Sequence, residues 1–123
     1  MGEFRKHLKI AKEKLQAVTA AYKKKQHTVV GDLGTKVVEQ LVEADAARAD
    51  EHYGTHSERH EYSNKNFPPE INKAMRKVWF AYGDLGYDGT NGKKAKAVIS
   101  NLNKIIEYFE KRFGEKIESK INV

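Results

Sequence analysis

Cysteine is absent from the 123 residues, proline occurs twice and tryptophan once. Without cysteine there is no disulfide scaffold, no zinc finger, no iron–sulfur centre and no thiol nucleophile. That composition fits a reducing cytoplasm, which is the expected location. No apolar run approaches the ~18 residues of a membrane span, and no signal-peptide core is expected at the amino terminus. With 33% charged residues and two prolines, the chain reads as helical and soluble. Its length suits a single domain, residues 1–123, able to bury one core without staples.

What is present is helical periodicity. Phe4, Leu8, Ala11, Leu15, Val18 and Tyr22 follow one another at steps of four and three, one stripe along a helix. Val30, Leu33, Val37, Leu41 and Ala44 repeat the pattern. Gly31 and Gly34 fall near the start of that second stripe, where each costs a helix about 1 kcal/mol relative to Ala. Close approach of a neighbouring helix is the favoured reason for them; a helix starting only near Thr35 is the alternative.

Thr55-His56-Ser57-Glu58 has the form of a capping box and predicts a short helix over about 56–63. Residues 64–69 are a break, because Phe67 and Pro68 each precede a proline and are pushed out of helical geometry. Pro69 suits a first helical position. Ile71, Met75, Val78, Trp79 and Tyr82 mark the next helix, with its end expected at Gly83 and a glycine-rich connection over 83–92. Ala95, Val98, Leu102, Ile105, Phe109 and Phe113 predict a last helix to about residue 118, its stripe widened by Ile106. No segment alternates like a strand. The expected fold is all-α, an up-and-down four-helix bundle with one additional short helix.

Charge is unevenly spread. Residues 1–25 carry a net +6, residues 26–61 a net −5 and residues 62–123 a net +5. The basic amino-terminal face, with Lys93, Lys94, Lys96, Lys104, Lys111 and Arg112, could attract RNA, DNA or an acidic protein. A merely solvated lysine surface is the plainer reading, since arginine is the better reader of phosphate and lysine dominates here.

The densest polar cluster spans residues 50–61. His52, His56 and His60 are spaced by four, and on an unbroken helix three imidazoles on one face could bind a divalent metal. Gly54 and the Thr55 cap argue against an unbroken helix, and a polar corner whose histidines cap or face water is the favoured alternative. General acid–base chemistry by His56 or His60 beside Arg59 is a third reading. There is no Gly-x-Ser-x-Gly nucleophile motif, and the 83–92 segment matches neither a phosphate-binding nor a calcium loop. Trp79, Tyr82 and Tyr87 are read as covering one end of the bundle, with a base-stacking platform as the sharper alternative. No cofactor is implied.

The order of features resembles one family. Ala17-Val18-Thr19-Ala20-Ala21-Tyr22 is followed by Val37-Val38-Glu39-Gln40-Leu41-Val42-Glu43-Ala44, a His-containing corner, Trp79-Phe80-Ala81-Tyr82 and Ile105-Ile106-Glu107-Tyr108-Phe109. This is similar to the HEPN superfamily (higher eukaryotes and prokaryotes nucleotide-binding), small helical bundles of about this length. Val38, Glu39 and Ala44 resemble its second-helix pattern, and His56 best matches its corner histidine. Ribonuclease members carry Arg, four to six residues, then His. No such spacing occurs here, and no histidine follows His60. The resemblance therefore implies a non-catalytic or divergent member: a homodimer, associated with nucleotide or RNA, paired with a nucleotidyltransferase in a toxin–antitoxin role. Within it His56, Trp79, Tyr82 and Tyr87 are the ligand-binding candidates. The alternative is a divergent nuclease or metal-dependent hydrolase built on His52, His56 and His60.

Overall fold

Among the described residues of the computed structural model (2–49, 55–88 and 92–117), five helices and no strands are found: α1 (Gly2–Lys23), α2 (His27–Ala47), α3 (His56–Asn66), α4 (Pro69–Asp88) and α5 (Gly92–Phe113). The apolar stripes read from the sequence are the stripes that are buried. Phe4, Leu8, Ala11, Leu15 and Val18 of α1 meet Val30, Val37, Leu41 and Ala44 of α2 in one hydrophobic cluster with Ile71, Met75 and Val78 of α4 and Ala95 to Phe109 of α5. The main neighbours are α1 with α2, α2 with α4, α4 with α5, and α2 with α5. Helix α3 rests more lightly on α2 and α4.

The turn between α1 and α2 is tight. Gln26 N donates to Ala21 O at 2.8 Å and Lys25 N to Tyr22 O at 3.1 Å, the paired bonds of a Schellman ending. Lys25 takes the left-handed position at φ 60° that such an ending usually gives to glycine. Helix α2 then begins at His27, well before Thr35, and both early glycines lie inside it. A methyl group on Gly34 would stand 3.1 Å from Val98 Cγ1 and 3.5 Å from Val78 Cγ1, so this glycine lets α2 approach α4 and α5 closely.

Three boundaries differ from expectation. Helix α4 does not end at Gly83 but continues through Gly83 and Gly86 to Asp88, so most of the expected glycine-rich connection is helical. In the sequence the helical apolar spacing runs on past Gly83, with Leu85 three residues beyond Tyr82. Helix α5 stops at Phe113 rather than near residue 118, because Gly114 turns left-handed at φ 73° and its amide bonds back to Glu110 O at 2.9 Å. Ile117 then folds back into the core, its amide donating to Glu110 Oε2 at 2.7 Å. Helix α3 runs three residues past Ser63 to Asn66, where Phe67 leaves the helix at φ −118° and ψ 154°, as a residue before proline must.

No helix among the described residues is long and apolar enough to cross a membrane.

Candidate functional site

Three helices enclose a cavity of about 200 Å³. Helix α2 lines it with Thr35, Val38, Glu39 and Val42, α3 with Arg59, His60, Ser63 and Asn64, and α4 with Asn72, Met75, Arg76 and Trp79. The sets from α2 and α4 repeat at three, four and seven residues and that from α3 at three and four, the spacing of a single helix face. Val38, Val42, Met75 and Trp79 supply apolar wall, and the other side chains supply hydrogen-bonding groups.

Polar residues on this wall are anchored. Asn72 donates Nδ2 to Phe67 O at 3.1 Å, fixing the corner between α3 and α4. Thr35 donates to Val78 O at 3.4 Å, tying α2 to α4. His60 meets the indole of Trp79 edge-on, with ring centroids 4.4 Å apart.

Carboxylates lie beneath. Glu39 is 7% exposed and Glu43 1%, both on α2. Burying a carboxylate is costly unless a cation answers it. Arg59 reaches across from α3 with Nε 3.1 Å from Glu43 Oε1 and Nη1 3.8 Å from Glu39 Oε1. Lys36 adds a contact of 3.4 Å to Glu39 Oε2. A third buried carboxylate, Asp45, accepts a 2.6 Å hydrogen bond from the Tyr62 hydroxyl and is gripped by Arg112.

Arg59 reaches toward α2 from a well-formed helix start. The Thr55 hydroxyl accepts from Glu58 N at 3.2 Å, as the capping box requires. The return bond differs from the expected reciprocal one: Glu58 Oε1 accepts from the Thr55 hydroxyl at 2.8 Å. The carboxylate is satisfied by the nearer donor.

Of the residues proposed from sequence, Arg59, His60 and Trp79 come together on the cavity wall. His52 lies outside the described residues. His56 opens α3, Tyr82 lies on α4 as expected, and Tyr87 belongs to α4 rather than to the expected connection; the side chains of all three lie outside the described residues. Among the described residues, no group of three or more histidine, aspartate or glutamate side chains is placed to hold a metal ion. Arg112, read from sequence as part of a basic face, is bound to Asp45 instead. Its guanidinium is held above its usual protonation range, first by the hydrogen bond to Asp45 and then by the attraction of that carboxylate, with burial opposing.

Sequence reasoning did not gather Val42, Ser63, Asn64, Asn72 and Arg76 into a site. One signal was present: Glu39, Glu43 and Asp45 interrupt a stretch otherwise made of Val37, Val38, Leu41, Val42, Ala44 and Ala46. Carboxylates in such apolar company predict buried charges with cationic partners elsewhere in the chain.

Comparison of the chain with protein-family profiles, curated proteins and solved structures finds no match in any of the three.

Proposed function

We propose that this chain is a non-catalytic helical binding module whose ligand seat is the cavity between α2, α3 and α4. The observation that carries this reading is the cavity itself, where apolar wall and a few convergent polar groups meet as ligand sites require. Binding is favoured over catalysis by the state of the wall. Arg59 is held by Glu43 and Glu39, and His60 is packed against Trp79, so both are positioned as walls and braces.

The proposal extends to the finer architecture, with α1, α2, α4 and α5 as an up-and-down four-helix bundle and α3 as its additional short helix. It also carries the HEPN-like reading forward, with nucleotide or RNA as ligand class and a second copy of the chain and a nucleotidyltransferase as partners. All-helical content supports it, as does the presence of Val38 and Glu39, the residues of the family-like second-helix pattern, on the cavity wall.

A second reading, a divergent nuclease or hydrolase, draws on Arg59 and His60 standing side by side at the cavity. Nuclease assays on wild type, His56→Ala and His60→Ala separate the two. Cleavage abolished by either substitution supports the enzyme; no cleavage of RNA or DNA by the wild type removes it. The binding reading is tested by titrating a panel of small ring compounds while following ¹⁵N shifts. Saturable shifts centred on Val38, Ser63, Asn72 and Met75 support the seat, and a panel that perturbs none of them overturns it.

A further inference from the structure

We propose that the ligand of this cavity is a small planar ring bearing one anionic group, carboxylate or phosphate, with the ring against Trp79 and the anion on Arg76. The inference rests on the ligand seat proposed above and replaces the nucleotide or RNA ligand class there with a smaller occupant.

Size limits the ligand first. The cavity of about 200 Å³ exceeds the ~150 Å³ that accommodates a benzene and falls below the ~300 Å³ at which drug-sized pockets begin. One ring and one substituent fill it. The wall favours a flat occupant, since Trp79 offers an aromatic surface with Val38, Val42 and Met75 around it.

Charge supplies the second argument. The buried carboxylates Glu39 and Glu43 are answered by Arg59 and Lys36. Arg76 is exposed, lines the same cavity and makes no ion pair among the described residues. Among the described residues the site therefore has one cation in excess, at its solvent side. A guanidinium is the side chain best shaped for two parallel hydrogen bonds to a carboxylate or phosphate.

Register is the third. Arg76 and Trp79 are three residues apart on α4, which places their Cβ atoms roughly 5–6 Å apart on one helix face. A ring lying on Trp79 thus presents a directly attached acid group to Arg76. A monoanionic aryl ligand uses both anchors at once, whereas a neutral ring uses one and free phosphate the other.

The test uses the full chain and reads the emission of Trp79, its single tryptophan. Benzoate, phenyl phosphate, benzamide and inorganic phosphate serve as probes, against wild type, Arg76→Gln and Arg76→Lys. Far-ultraviolet circular dichroism checks that the variants fold, which the exposed position of Arg76 leads one to expect. The expected result is saturable quenching by benzoate or phenyl phosphate, weakened about tenfold in Arg76→Gln and less in Arg76→Lys, with benzamide and inorganic phosphate each about tenfold weaker on the wild type. Whichever aryl anion binds more tightly identifies the acid group. Benzamide binding as tightly as benzoate, with ¹⁵N shifts in the cavity, overturns the anionic class and leaves the ligand seat standing. Inorganic phosphate matching phenyl phosphate overturns the ring. Unchanged affinity in Arg76→Gln overturns the anchor. No saturable response to either aryl anion overturns the inference outright, and the wider ¹⁵N panel then decides the seat.

Discussion

Arg112 addresses both carboxylate oxygens of Asp45, Nε toward Oδ1 and Nη2 toward Oδ2 at 3.2 Å, across 67 residues of sequence. Asp45 is 3% exposed, and the Tyr62 hydroxyl donates to the same Oδ2 at 2.6 Å. One carboxylate near the end of α2 thus joins α3 and α5. Arg112→Gln removes the main cation from a buried anion and is expected to cost about 2–3 kcal/mol in urea unfolding.

The pH dependence of that pair has a definite sign. The folded protonation range of Arg112 is raised, so its contribution is complete below the ordinary guanidinium range and is lost only as pH climbs through the raised one. The stability difference between wild type and Arg112→Gln, attributable to the guanidinium, is expected to stay flat from about pH 7 to about pH 10. A difference that shrinks across that interval contradicts the assignment.

Gly34→Ala should destabilise despite the better helix propensity of alanine. The added methyl meets Val98 Cγ1 at 3.1 Å, and Val98 is a buried β-branched residue with little rotamer freedom. Overpacking of about 1–3 kcal/mol outweighs a propensity gain of about 1 kcal/mol. The urea midpoint is expected to fall, and to recover in the double variant Gly34→Ala, Val98→Ala relative to Val98→Ala alone.

Lys25→Gly should act in the opposite direction. Lysine at φ 60° carries a left-handed penalty of about 1 kcal/mol that glycine avoids. A melting temperature above that of the wild type is the expected reading, with unchanged circular dichroism at low temperature.

Arg59→Gln withdraws the guanidinium that faces Glu43 and Glu39, and the expected cost is about 2 kcal/mol. The loss should be local first. Amide exchange is expected to accelerate in α3 more than in α1 or α5, and equal acceleration everywhere would contradict the bracing role assigned to Arg59.

The stripes of α1, α2 and α5 were legible because burial follows apolar spacing, and every residue of the Phe4-to-Val18 series is buried. The Thr55 cap and the Pro69 helix start were legible because they are local backbone chemistry. The continuation of α4 through Gly83 and Gly86 was not, since glycine's weak local preference yields to a stripe that carries on past it. The end of α5 was not legible either: the expected helix runs to about residue 118, whereas Gly114 turns left-handed after Phe113 and Ile117 returns to the core by another path. The cavity was the least legible feature. Trp79 and His60 could be named, but their meeting with Asn72 and Glu39 depends on how α2, α3 and α4 are set side by side.

Helix α3 has Tyr62 as its one large apolar residue, and it is fastened through Arg59 to Glu43, Tyr62 to Asp45, and His60 to Trp79. The two carboxylates that take these bonds are 1% and 3% exposed, so salt screens the fastenings weakly and each depends on its own partner, unlike the spread hydrocarbon contacts that join the longer helices. Single side chains are therefore a selective handle on the molecule: withdrawing Arg59 or the Tyr62 hydroxyl loosens the wall that α3 forms at the cavity, while the hydrocarbon seams among α1, α2, α4 and α5 stay as they are.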